Sequence, residues 1–137
     1  MANAPPNPRR TILLVDDEPE ILHLFKRILS AESALILAAQ SGGEALEIAR
    51  QTPLDLVILD IKLPDVSGTE VLRRLRRIDA GVPVIIVTSY GSVETVRASM
   101  KFGAFDYLTK PFENREIRRV AREALASRAG GPIPLRA

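Results

Sequence analysis

Apolar and polar positions along this chain switch repeatedly between two periods. Five short, largely apolar runs, Thr11 to Asp16, Ala34 to Ala39, Leu54 to Asp60, Val84 to Thr88 and Ala104 to Thr109, have the length of strands. Within them, Ile12-Leu13-Leu14-Val15 and Leu56-Val57-Ile58-Leu59 leave no polar position to face water, which predicts strands buried on both faces. Between the runs, apolar residues recur at three- and four-residue spacing, the pattern of amphipathic helices. Pro19 suits the first position of a helix, with Glu18 and Glu20 beside the positive end of its dipole and Ile21, Leu24, Phe25 and Ile28 as the buried stripe. Ser41 and Glu44 predict a capping box for a second helix, which buries Ala45, Leu46, Ile48 and Ala49 and stops at Pro53. After a turn containing Pro64, Asp65 and Gly68, the third helix, Thr69 to Asp79, buries Val71, Leu72, Leu75 and Ile78, and exposes Arg73, Arg74, Arg76 and Arg77 at least in part. A fourth runs from a Ser92 cap to Phe102 and is ended by Gly103. The last spans about Glu113 to Ser127, with Ile117, Val120, Ala121, Ala124 and Leu125 on one side. Five such βα units predict an α/β fold, a doubly wound parallel sheet with helices on both faces and right-handed crossovers.

Composition narrows the chemistry. The 137 residues contain no cysteine, which removes disulfides, thiolate metal sites and cysteine nucleophiles. Residues 1–9, with Pro5, Pro6 and Pro8, have no apolar core of a signal peptide and are expected to be disordered. Residues 10–127 form the predicted domain, and 128–137, rich in Gly and Pro, read as a tail or truncated linker. No apolar run approaches the ~20 residues of a membrane span, so the expectation is a cytoplasmic protein without membrane contact. A formal net charge of +2 is small, and the arginine clusters read as solvated helix faces with intrahelical pairs such as Glu70 with Arg74, not as a nucleic-acid surface. His23 lies off the apolar stripe of its helix and reads as a surface residue.

The candidate chemistry lies at strand ends. Asp16 and Asp17 follow the first strand, Asp60 ends the third, Thr88 and Ser89 end the fourth, and Lys110-Pro111 follows the fifth. In an open α/β sheet these ends share one rim, where ligands bind. Three carboxylates there repel one another unless a hard divalent ion such as Mg2+ joins them. Asp17 and Asp60 can hold that ion, with Asp16 ligating directly or through water and the Lys62 backbone carbonyl adding a neutral ligand. Asp60 can attack phosphorus without a general base, while Thr88 and Lys110 contact phosphoryl oxygens. Taken alone, Asp-Asp-Glu is a solvated helix start and Thr88 a strand end; the constellation gives them another meaning.

These residues also resemble a family. Val15-Asp16-Asp17-Glu18, Leu59 to Asp65, Gly68, Val87-Thr88-Ser89 and Ala104 to Phe112 are similar, in order and placement, to the receiver domain of bacterial two-component response regulators, over about Arg10 to Ser127. The resemblance implies a flavodoxin-like sheet of order 2-1-3-4-5. It implies Asp60 as phosphoacceptor from a sensor histidine kinase or histidine phosphotransfer protein, and a metal, Mg2+ or Mn2+, on Asp16, Asp17, Asp60 and the Lys62 carbonyl. Thr88 and Lys110 would contact phosphate, Thr88 and Tyr107 would form the switch, and Lys62 and Tyr90 match positions that tune dephosphorylation. Both are bulky, which predicts a long-lived phosphoaspartate. A cis Lys110-Pro111 bond is expected, and the surface of the fourth helix, fifth strand and fifth helix is the implied signalling and homodimer face. Ser92 to Phe112 looks most like receivers of nitrogen-regulator-type activators. Two alternatives are an aspartyl-phosphate hydrolase, which has a second Asp two residues past the nucleophile where Lys62 stands here, and a phosphorylation-independent adaptor, which lacks some of the residues that this chain retains. The expectation is a phosphoacceptor that promotes its own reactions, not an enzyme with turnover.

Overall fold

Parallel strands whose side chains alternate between two faces build the centre of this computed structural model, which describes residues 10–32, 34–89 and 93–129. The elements alternate throughout: β1 (Arg10–Val15), α1 (Pro19–Ile28), β2 (Ala34–Ala39), α2 (Gly42–Gln51), β3 (Leu56–Leu59), α3 (Gly68–Ile78), β4 (Val84–Thr88), α4 (Val93–Lys101), β5 (Asp106–Thr109) and α5 (Asn114–Ala129). All pairings are parallel and the order is β2-β1-β3-β4-β5, as the family resemblance implied. The last helix continues two residues past the expected Ser127.

The period of two sorts the core into halves. On one face Ile12, Leu14, Leu56, Ile58, Ile85 and Val87 meet Leu22, Phe25 and Ile28 of α1 and the Ile117, Val120, Ala121 and Ala124 stripe of α5. On the other, Leu13, Val15, Val57, Leu59, Val84 and Ile86 meet Ala45 and Leu46 of α2 and Val71, Leu72 and Leu75 of α3. Each fully buried aliphatic side chain contributes about 1.5–3 kcal/mol relative to exposure. The fourth helix is the exception: among its residues only Ser99 is buried, its hydroxyl donating to the Thr95 carbonyl, while Val93 and Met100 lie exposed. It is the helix least tied to the core.

Local details set the rim. The Ser41 hydroxyl accepts from the Glu44 amide as expected, but the Glu44 carboxylate accepts from the Gln40 amide, one residue before the cap. Ser67 caps α3 by accepting from the Glu70 amide, while the Glu70 carboxylate turns to Arg73 and Arg74. Gly68 is required by a close approach: its amide donates to the Ile61 carbonyl at 2.7 Å, and a Cβ there would lie 2.5 Å from the Asp60 carbonyl oxygen. Gly103 ends α4 at φ +90°, where glycine is least strained. The Lys110-Pro111 bond is cis.

One expectation on the arginines needs correction. Arg73 and Arg74 pair with Glu70, and Arg77 is exposed, but Arg76 turns inward. Its guanidinium donates to the Val82 and Gly103 carbonyls, both at 2.6 Å, because the turns before β4 and β5 leave those oxygens without a strand partner. Burial lowers its pKa, a cost that Asp79 nearby partly offsets. The Ser92 cap and Tyr90 lie outside the described residues.

Candidate functional site

Backbone pairing continues one residue past three strands and fixes the acids and the lysine on one rim. The Asp16 amide donates to Ala39, that of Asp60 to Val15, and that of Lys110 to Thr88, at 3.1, 3.0 and 3.0 Å. Side chains starting from such anchored positions have little freedom. Asp16, Asp60 and Thr88 are buried, Lys110 is half-buried and Asp17 is exposed.

One ammonium joins two of the carboxylates. Lys110 Nζ lies 2.9 Å from Asp16 Oδ2 and 3.2 Å from Asp60 Oδ2. The remaining oxygens of both acids accept backbone amides, Glu18 N–H on Asp16 Oδ1 at 3.0 Å and Lys62 N–H on Asp60 Oδ1 at 3.1 Å. Burial raises the Asp16 pKa, and the Glu18 amide and Lys110 offset only part of that. Burial also opposes the Lys110 charge, but hydrogen bonds and attraction to Asp16 and Asp60 outweigh it and raise the lysine's pKa. One lysine therefore serves two acids, and a site with more negative than positive charge favours a further cation.

The donor set fits that cation. Asp16, Asp17 and Asp60 each offer an oxygen, and these atoms lie within 4.8 Å of one another. Oxygen ligands at this spacing suit a hard divalent ion that retains waters, such as Mg2+. Asp17 and Asp60 open onto a cleft of about 410 Å³ lined also by Glu18, Lys62, Leu63, Pro64, Ser89 and Lys110. A larger cleft, about 820 Å³, opens at the opposite end of the sheet around Arg76, Phe102 and Phe105, but no carboxylate lines it. Chemistry, not volume, marks the site.

The structure thus brings together Asp16, Asp17, Asp60, Lys62 and Lys110. Thr88 sits at the end of β4, and the β4–β5 register pairs Ile86 with Tyr107 and Thr88 with Thr109. Strand alternation puts Thr88 on the Ile86 side of the sheet, where half-buried Tyr107 also packs against the core. Sequence reasoning missed Asp65, whose carboxylate reaches the first amides of α2. Its partners are more than twenty residues upstream and no local pattern announces them. Among the described residues no helix is long and apolar enough to cross a membrane.

Comparison with known proteins agrees with this geometry. Residues 12–122 match the response regulator receiver domain. The chain is 40% identical over 107 residues to the probable transcriptional regulatory protein TcrX of Mycobacterium tuberculosis, covering 78% of this chain and 46% of that protein. It is 37% identical over 114 residues to sporulation initiation phosphotransferase F of Bacillus subtilis, covering 83% of this chain and 92% of that one. A crystal structure of a receiver domain protein from Methanospirillum hungatei superimposes with TM-score 0.87 at 34% identity, covering 91% of this chain and 100% of the other. The chain spans half or less of several curated relatives, including 27% of the response regulator PilR of Pseudomonas aeruginosa. A match across most of the chain, with the strand order and the rim carboxylates in place, makes this chain a member of the response regulator receiver domain family.

Proposed function

We propose that Asp60 accepts a phosphoryl group from the phosphohistidine of a sensor histidine kinase or a histidine phosphotransfer protein. The observation that carries this reading is one carboxylate at a strand end, with two further acids and a lysine converging on it. An Asp60 carboxylate oxygen attacks phosphorus, the P–N bond breaks, and its electrons return to the imidazole, which leaves as the neutral ring once it holds one proton. Phosphoryl transfer needs little covalent help, so positioning and charge stabilisation dominate. Asp16, Asp17, Asp60 and the Lys62 carbonyl would hold Mg2+, which would supply positive charge to the phosphoryl oxygens. Lys110 orients Asp60 through its 3.2 Å contact and adds charge from the other side. The Lys62 and Glu18 amides hold the acids in place from the backbone.

The signal is then a population shift. Thr88 at the end of β4 moves toward the new oxygens, Tyr107 on the same side of the sheet turns inward, and α4, β5 and α5 re-present their surface. The light anchoring of α4 supports a movable element there. That surface is also the proposed homodimer face. Lys62 is exposed at the cleft and, with Tyr90, is proposed to hinder water and lengthen the phosphoaspartate lifetime. The protein acts in the cytoplasm as a phosphoacceptor and does not turn over an external substrate. In the test, purified protein is treated with acetyl phosphate with and without Mg2+ and read by intact mass beside Asp60→Asn. One Mg2+-dependent phosphate, lost in the variant, is expected; no modification under any condition would refute the assignment.

A further inference from the structure

The loop 61–67 must be held in shape, because it carries Lys62 and lines the cleft with Leu63 and Pro64. Ordering a loop costs backbone entropy at every residue, so its conformation needs fixed points. Gly68, bonded back to the Ile61 carbonyl, is one. Asp65 is the other. Its Oδ1 accepts from the Gly42 amide and its Oδ2 from the Gly43 amide, both at 2.9 Å, while Oδ1 also accepts from Val66. These amides open α2, so the carboxylate satisfies two donors that the helix cannot, at the positive end of its dipole. The Gly43 and then the Gly42 bond pull the Asp65 pKa down, so the group stays charged at neutral pH. The contact also depends on the absence of a side chain at Gly42, where a Cβ would overlap Val66 Cγ1 and come within 2.8 Å of Val71 Cγ2.

We propose that Asp65 is a positioning residue for the metal-binding loop: by bridging to the Gly42 and Gly43 amides it keeps 61–67 in the shape that presents the Lys62 carbonyl, and it couples metal occupancy to the first turn of α2. This rests on the reading of the cleft as a Mg2+ site. Without the bridge, the cation itself must order the loop, and its affinity falls. Coupling is reciprocal, so whatever the bridge adds to metal binding, the metal adds to the bridge.

The test measures the Mg2+ dissociation constant of the whole chain by amide NMR titration, with hydrogen exchange of the Gly42 and Gly43 amides followed in the same samples. Asp65→Ala is expected to weaken Mg2+ binding about 10- to 100-fold, the range for residues that orient metal ligands. Asp65→Asn, which keeps one acceptor oxygen, falls between. Asp55→Ala is the control for lost stability, since Asp55 accepts the Thr11 amide at the end of the strands opposite the acidic rim, and it leaves the affinity at the wild-type value. In the wild type, Mg2+ slows exchange at Gly42 and Gly43. Equal affinity in Asp65→Ala and wild type overturns the proposal, as does wild-type exchange that ignores Mg2+, a result that needs no variant to fold. Wild-type protein that binds no Mg2+ overturns the metal reading itself, and this inference with it.

Discussion

Lys110 does two opposed things at the site, and a single substitution separates them. Its ammonium bridges Asp16 and Asp60 and so competes with any cation those acids would hold. It also supplies positive charge where phosphoryl oxygens gather. Lys110→Met is therefore expected to bind Mg2+ more tightly, about 10-fold if ~1.4 kcal/mol of repulsion is relieved, yet to phosphorylate more slowly from acetyl phosphate. Titration and initial rates on one preparation check both; tighter binding with unchanged rate would remove Lys110 from the chemistry. A second charged pair shows the opposite balance. Asp79 is held below its ordinary value of 3.8, chiefly by the Arg128 hydrogen bond at 2.6 Å and less by the Gly81 amide. A depressed carboxylate stabilises the fold above its unfolded pKa and loses that contribution as pH falls through the folded one. The pair is about one-third exposed, so the coupling in an Asp79→Asn, Arg128→Met cycle is expected to be only ~0.5 kcal/mol at neutral pH. Because the folded carboxyl is depressed, the coupling should weaken as pH falls from neutral into the acid range, which urea unfolding at neutral and acid pH measures.

At the level of the element, Arg76 is worth more than its three neighbours in α3. Arg76→Ala leaves the Val82 and Gly103 carbonyls without their donor and is expected to cost about 1–3 kcal/mol, whereas Arg77→Ala on the exposed face stays within ~0.5. Denaturant midpoints of the two variants decide it. The contrast also shows where sequence reading stops. The five strands and five helices, the Pro19 start, the Ser41 cap and most of the buried stripes were legible because each depends on residues within one turn or one strand; Ile78, expected inside, is exposed where α3 ends. The rim acids, Thr88 and Lys110 were legible because strand ends in such a sheet share an edge. Arg73, Arg74, Arg76 and Arg77 look alike in a helical pattern, and what separates Arg76 is a pair of turns closed from 82 and 103. Asp65 reads as a turn residue until the fold brings Gly42 and Gly43 to it. Strand order was available only through family resemblance, since five βα units permit more than one winding.

For the whole molecule, two apolar faces hold together a sheet whose one edge carries unfavourable charge. Burial already resists ionisation of Asp16, so at neutral pH the folded protein carries an acid that is better solvated when unfolded. The sign follows: a raised folded pKa means stability falls as pH rises through it, and a bound cation removes the penalty. Ligands that bind only the folded state stabilise it by mass action, ~2.7 kcal/mol at a hundred times the dissociation constant. For a domain of this size that corresponds to a rise in Tm of roughly 5–15 °C. Calorimetry in Mg2+ should show that rise, EDTA should reverse it, and NaCl of equal ionic strength should not reproduce it. Asp17→Asn isolates the cause, since Asp17 is exposed and contributes a metal oxygen with little to packing. Its Tm without Mg2+ should match the wild type, while its gain with Mg2+ should shrink. A gain that survives Asp17→Asn would place the cation elsewhere, and no gain in the wild type would leave the acidic edge a cost to stability that no divalent ion relieves.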